Sequence, residues 1–165
     1  MLIFSPTLKK EICMDFQFPT TWQELESIVN TGVLDQLPVE YKRSSELIQT
    51  YEKDRQTISK AEALQNIHAE MQDSLTVLSG GEEVSLTYNK YPYDLLLQNL
   101  PGVTHALLWF KGSLSIDAAQ AYLQSLGKAC CLYENPVALK SIPEVSHYQV
   151  FLLDNVKSLP FPMAA

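Results

Sequence analysis

The chain has 165 residues, 46% of them hydrophobic and 19% charged, with a formal net charge of -7. That length suffices for one domain whose core needs no disulfide or metal to hold it. The acidic balance and the scatter of its 12 Lys and Arg argue against general nucleic-acid binding and against an anionic membrane surface, both of which need clustered cations.

The opening stretch, "MLIFSPTLKKEICMDF", lacks a basic n-region and its apolar part stops at Pro6, so no secretory signal is expected. No window approaches the roughly 20 apolar residues of a membrane helix, and membrane insertion is not expected. Residues 1–19 read as an N-terminal extension, 20–156 as a single domain and 157–165 as a flexible tail with two prolines. Of the three cysteines, Cys130 and Cys131 are adjacent in an apolar run and Cys13 stands alone. Without CxxC spacing they read as buried free thiols in a reducing compartment rather than zinc ligands, and no metal is expected.

The first half has helical periodicity. "TTWQELESIVNTG" offers Thr20 or Thr21 as N-cap, a stripe of Trp22, Leu25, Ile28 and Val29, and Gly32 just past the end. "RSSELIQTYEKD" follows, capped by Ser44 or Ser45, with Leu47, Ile48 and Tyr51 on one side. A third helix starts at Ser59 and presents Ala61, Leu64, Ile67, His68 and Met71, which makes His68 a core-stripe residue rather than a ligand. In the second half, Val84, Leu86 and Tyr88 alternate after the turn "SGGEE", which lacks the GK[ST] ending of a phosphate loop. Then come a strand "VTHALLWFK", a helix capped by Ser115 with a stripe of Ile116, Ala119, Leu123 and Leu126, and strands "ACCLYE" and "HYQVFLLD". The expected fold is α+β: N-terminal helices followed by an antiparallel or mixed sheet with one further helix, the sheet covered on one side.

Two strands each place a histidine on an otherwise apolar face. Val103, His105, Leu107, Trp109 and Lys111 share one face, and His147, Gln149, Phe151 and Leu153 share another. If the strands are neighbours, His105 and His147 converge as acid/base or phosphate-donating groups, with Gln149, Trp109 and Lys111 nearby. That convergence requires the imidazoles within about 10 Å of each other. Metal binding by two histidines is incomplete, and nothing selects Asp94 or Asp154 to complete it. No GxSxG motif is present, and no histidine lies close in sequence to Cys130 or Cys131.

Several segments together resemble the domain-of-unknown-function family numbered 3605, a mainly fungal family that includes proteins labelled N-acetylglucosamine-induced. Its "tWeel" helix and "tGdLd.L.Rs" segment are matched by Trp22, Glu24, Leu25, Gly32, Leu34, Leu37, Arg43 and Ser44, with "PVEYK" inserted before the arginine. Its "NDWPYG…I.H.VVWsK" is matched by Asn89, Pro92, Tyr93, His105, Trp109 and Lys111. Here Lys90-Tyr91 replaces the usual pair, and Asp94 the glycine. Its "HfHVf" is matched by His147, Val150 and Phe151, with Gln149 at the second histidine. The resemblance implies a site at Arg43, Asn89, Tyr93, His105, Trp109, Lys111 and His147. A fainter similarity, to histidine-triad nucleotide hydrolases and transferases, fails at the nucleophile, whose position holds Gln149.

Two functions follow as expectations. One is a site for a phosphorylated or nucleotide-like small molecule, with His105 and His147 in catalytic positions and Arg43, Asn89, Tyr93, Trp109, Lys111 and Gln149 binding the ligand. The other is a non-enzymatic protein-interaction module with a protein partner, such as a bacterial effector carrying a eukaryote-like domain. The expected location is the cytoplasm, or a host cell in the effector case; neither a cofactor nor an enzymatic reaction is specified by the sequence.

Overall fold

The computed structural model describes residues 16–135, 142 and 144–153. Cys13, Asp154 and the tail expected at 157–165 lie outside them. Among the described residues, four α-helices begin where short polar side chains cap them. Helix α1, Trp22–Asn30, has Thr21 accepting from the Glu24 amide. Helix α2, Ser45–Thr57, has Ser44 accepting from Leu47. Helix α3, Lys60–Asp73, has Ser59 accepting from Glu62, and helix α4, Ile116–Ser125, has Ser115 accepting from Ala118. Each cap satisfies an otherwise orphaned amide of the first turn. Gly32 follows α1 at φ 75, the left-handed conformation that a helix end asks of glycine. Two short 3-10 turns, Val33–Asp35 and Val39–Tyr41, then lead into α2.

Five strands, β1 Leu75–Val77, β2 Glu83–Tyr88, β3 Val103–Phe110, β4 Ala129–Tyr133 and β5 His147–Leu153, form one sheet in the order β1-β2-β3-β5-β4. Every pairing is antiparallel, so the expected α+β class holds with N-terminal helices and one further helix after β3. "SGGEE" is the β1–β2 turn, with Gly81 at φ 89. Strand β1 was not anticipated, because three residues are too few to establish a period.

Alternation sorts the strand residues onto two faces, and both are covered. Val84, Leu86, Ala106, Leu108, Val150 and Leu152 pack under Ala119 and Leu123 of α4. On the other face Phe151 and Cys131 pack under Leu25 and Val29 of α1, Leu34 and Leu37 of the turns, and Tyr93, Leu96 and Leu100. Trp109 meets Met71 of α3 and Val145. The expectation of a sheet covered on one side is therefore corrected: β5 is buried from His147 to Leu152 on both of its faces. The adjacent cysteines follow the same alternation. Both are free and buried, and burial pushes the thiols up, Cys131 to about 12, so neither is a thiolate near neutral pH.

Three further expectations shift. Helix α3 packs through a narrow stripe, Leu64, Ile67 and Met71, which leaves His68 exposed rather than on the core side. Ile116, at the first position of α4, is 50% exposed. Residues 16–19, assigned above to the extension, pack on the domain. Pro19 is fully buried, and Phe16 and Phe18 lie against Tyr41 at ring distances of 6.1 and 6.3 Å.

Two-sided packing predicts that Leu25→Ala and Leu123→Ala, one on each face, cost comparable stability, about 2–5 kcal/mol each. Urea denaturation checks this, and a sheet clad on one side alone would make one of the two changes mild.

Candidate functional site

The loop after β2, "NKYPYD", has one histidine beneath it. Asn89 ends the β2–β3 pairing by donating its amide to the His105 carbonyl. Its side-chain oxygen accepts the Tyr91 amide at 2.9 Å, the two-residue bond by which asparagine turns a chain. Pro92 follows, and the Tyr93 amide points down at His105 Nδ1, 3.0 Å away. On the outer side the loop is pinned to the start of α2. Arg43 Nε donates to the Tyr91 carbonyl at 2.8 Å, the Ser44 amide donates to Asp94 Oδ1 at 2.8 Å, and the amides of Leu95 and Leu96 reach the Lys42 carbonyl. Tyr91 donates its hydroxyl to Asp54 Oδ2 at 2.6 Å, and burial together with that bond raises its pKa.

The amide–imidazole bond fixes the chemistry of His105. A backbone N–H can only donate, so Nδ1 is the acceptor and a neutral ring carries its proton on Nε2. That proton is donated to Gln149 Oε1, 2.6 Å away. Asn89 Nδ2 approaches the same oxygen at 3.4 Å. His105 is 3% exposed and sandwiched between the rings of Tyr93 (4.5 Å) and Phe151 (4.7 Å). Burial pushes its pKa down to about 3; the Gln149 bond opposes the shift, and the Arg43 and Lys42 charges add to it. Both ring nitrogens are in use, and the imidazole is neutral at any physiological pH.

Two half-buried cations gather above Tyr93. Arg43 Cζ lies 4.9 Å from the Tyr93 ring centre and 5.6 Å from that of Tyr51. Lys42 Nζ lies 5.3 Å from the Tyr93 ring and donates to the Leu34 carbonyl at 3.3 Å. Tyr133 donates to the Tyr93 hydroxyl at 3.2 Å. Arg43, Asn89, Tyr93, His105 and Gln149 thus meet in one network, five of the eight residues singled out from the sequence.

The other three lie elsewhere. Strands β3 and β5 are neighbours, but their register sets His105 against Phe151 and His147 against Trp109. Four residues of strand separate the two imidazoles, about 13 Å at the usual rise. His105 and His147 therefore do not converge on one group, because antiparallel strands that each carry a histidine near their start place them toward opposite ends of the face. His147 Nδ1 pairs with the Val145 carbonyl at 2.9 Å, and its ring lies 4.6 Å from that of Trp109. The Trp109 indole donates to Thr87 Oγ1 at 2.9 Å and is buried. Lys111, past the end of β3, is exposed and 3.6 Å from Glu83 Oε2, a surface pair of small value. Sequence reasoning missed Lys42, Asp54 and Thr87, whose partners lie 8 to 51 positions away, where local patterns carry no signal.

At the strand ends beside this network is a cleft of about 340 Å³. Pro92, Leu97, Leu100, Pro101 and Val103 supply its apolar lining, Asn89, Thr104 and Asp94 its polar groups, and His105 closes one wall. Among the described residues no group of three or more His, Cys, Asp or Glu is placed to hold a metal, and no helix is long and apolar enough to cross a membrane.

No family model and no curated protein matches the chain. The domain is similar to a solved structure described as "Crystal Structure of HTC1", with a TM-score of 0.55 and 19% identity over 80% of this chain and 84% of that one. At that identity the likeness concerns the fold alone.

The neutral imidazole has a consequence for stability. A histidine with an unfolded pKa near 6.5 and a folded one near 3 contributes its stability fully above pH 6.5 and loses it as pH falls toward 3. His105→Gln is expected to be less stable than the wild type at neutral pH. The gap narrows by up to about 1.4 kcal/mol per pH unit on acidification through that window. Urea unfolding of both proteins across the range measures it.

Proposed function

We propose that this domain is a non-enzymatic interaction module that receives a largely apolar, uncharged or cationic segment of a protein partner in the cleft at the ends of β2 and β3. The observation that carries this reading is the commitment of His105. An acid/base catalyst needs a nitrogen free to exchange a proton near neutral pH, and both ring nitrogens here hold the loop and Gln149 in place. The lining of the cleft sets the class of ligand. Its leucines and prolines suit apolar side chains, and Asp94 is the charged side chain in the lining. The volume lies at the low end of small-ligand pockets and fits two or three side chains.

A phosphorylated or nucleotide-like ligand is the rival reading. It needs cations directed at the phosphate, whereas Lys42 and Arg43 are turned onto Tyr93 and Lys111 sits beside Glu83. The resemblance to family 3605 fits the interaction reading as a shared scaffold. Arg43, Asn89, Tyr93 and His105, four of its motif positions, act together to hold one loop.

Amide NMR titration with short Leu- and Pro-rich cationic peptides, the same peptides phosphorylated, and nucleotides separates the readings. The cationic peptides are expected to shift Leu97, Leu100 and Thr104 in a saturable way, and Leu100→Asp to weaken that binding about tenfold or more, the worth of one buried leucine contact. Saturable binding of nucleotides centred on the same residues would instead favour the phosphorylated ligand.

A further inference from the structure

The His105 tautomer has a second effect, on Gln149. Because Nε2 of the imidazole donates, the atom of Gln149 facing it is the carbonyl oxygen, and the carboxamide nitrogen points the other way. The hydrogen bonds of Gln149 among the described residues both fall on Oε1, from His105 and Asn89, which leaves Nε2 with two N–H donors and no partner. The residue is 6% exposed. Yet Asp35 Oδ1 is the one enclosed polar side-chain atom left without a partner among the described residues, so Gln149 Nε2 is not fully sealed and keeps a small opening to its surroundings. A nearly buried amide with unused donors is costly unless something accepts from it.

The register shows where that space lies. Thr87 pairs with Leu107, Leu107 with Gln149 and Gln149 with Tyr133, so the four side chains form one row across β2, β3, β5 and β4 on the same face. On one side of the row Phe151 lies under Tyr93 and α1; on the other Trp109 lies under Met71 of α3. The row falls between these two covers: Leu107 borders the Trp109 cluster, Tyr133 borders the Phe151 cluster, and both, like Thr87, are half-buried. A half-buried row between two packed flanks, apolar and aromatic with one directed donor pair, has the makeup of a ligand site.

We propose that this row is a binding site for a small, uncharged, mainly apolar molecule that presents a carbonyl oxygen to Gln149 Nε2. Leu107 and the Tyr133 ring cover its apolar body, and Thr87, whose oxygen already accepts from Trp109, offers its hydroxyl hydrogen as a further donor. The site is separate from the cleft at the strand ends and does not depend on what binds there.

Acetophenone, which carries a carbonyl on an apolar ring, is the probe, with ethylbenzene as its carbonyl-free counterpart. Titration followed by NMR of the Gln149 side-chain amide is expected to give a saturable shift with acetophenone and at least tenfold weaker binding of ethylbenzene. Gln149→Glu keeps an oxygen acceptor for His105 but turns the donor pair into an acceptor, so it is expected to abolish the saturable shift of the neighbouring Leu107 backbone amide, which wild type and variant share, while the Tyr93 amide signal reports that the His105 bond survives. Leu107→Trp covers the row from the neighbouring strand, leaves the Gln149 carboxamide chemically unchanged and is expected to abolish it as well. The proposal is overturned by an unmoved Gln149 amide, by equal affinity for the two probes, or by a crystal soaked in acetophenone that shows water alone on Nε2. Wild-type titration decides the matter even if both variants fail to fold.

Discussion

One hydrogen bond, from the Tyr93 amide to His105 Nδ1, sets the state of everything around it. It makes Nδ1 an acceptor, puts the imidazole proton on Nε2, turns the carbonyl of Gln149 toward the ring and sends the carboxamide nitrogen away. It also holds the loop after β2 over the sheet, where Arg43, Ser44 and Lys42 fasten it to the start of α2. Sheet, loop and helix are thereby joined at a buried point where both ring nitrogens of His105 are satisfied. Such bonds, each strengthened by burial, specify a single arrangement of ring, loop and Gln149 carbonyl.

Burial decides what such a histidine can do. At an exposed strand end the same side chain would titrate near 6.5 and serve as an acid or base. Here the loop and the rings of Tyr93 and Phe151 exclude water, and two cations stand nearby, so the charged form is suppressed. The cost of ordering Arg43 between two tyrosines is met by contacts with the loop rather than with a ligand. These residues act as a joint whose geometry shapes the cleft at the strand ends and sets the orientation of the Gln149 carboxamide.

The helix caps, the α+β class and the sharing of a face by His105, Leu107 and Trp109 were legible in the sequence, because each rests on a local pattern of period 3.6 or 2. The convergence of His105 with His147 was not, because a face is set by period while position along it is set by register. Both strands carry their histidine near the start, and antiparallel pairing sends those ends apart. The role of Arg43 depends on a contact 48 positions away with the Tyr91 carbonyl, and that of Gln149 on a tautomer fixed by a loop amide 56 positions earlier. Arg43, Asn89, Tyr93 and His105 jointly hold the loop after β2, a grouping that no local period reveals.

The most direct test is long-range nitrogen–proton NMR of the His105 ring, followed between about pH 7.5 and pH 4.5, the span that brackets an ordinary imidazole. The account predicts an unprotonated Nδ1, a protonated Nε2 and no titration in that span. A ring protonated on Nδ1, or one that titrates near 6.5, would contradict it, release the orientation of Gln149 and return His105 to acid–base chemistry.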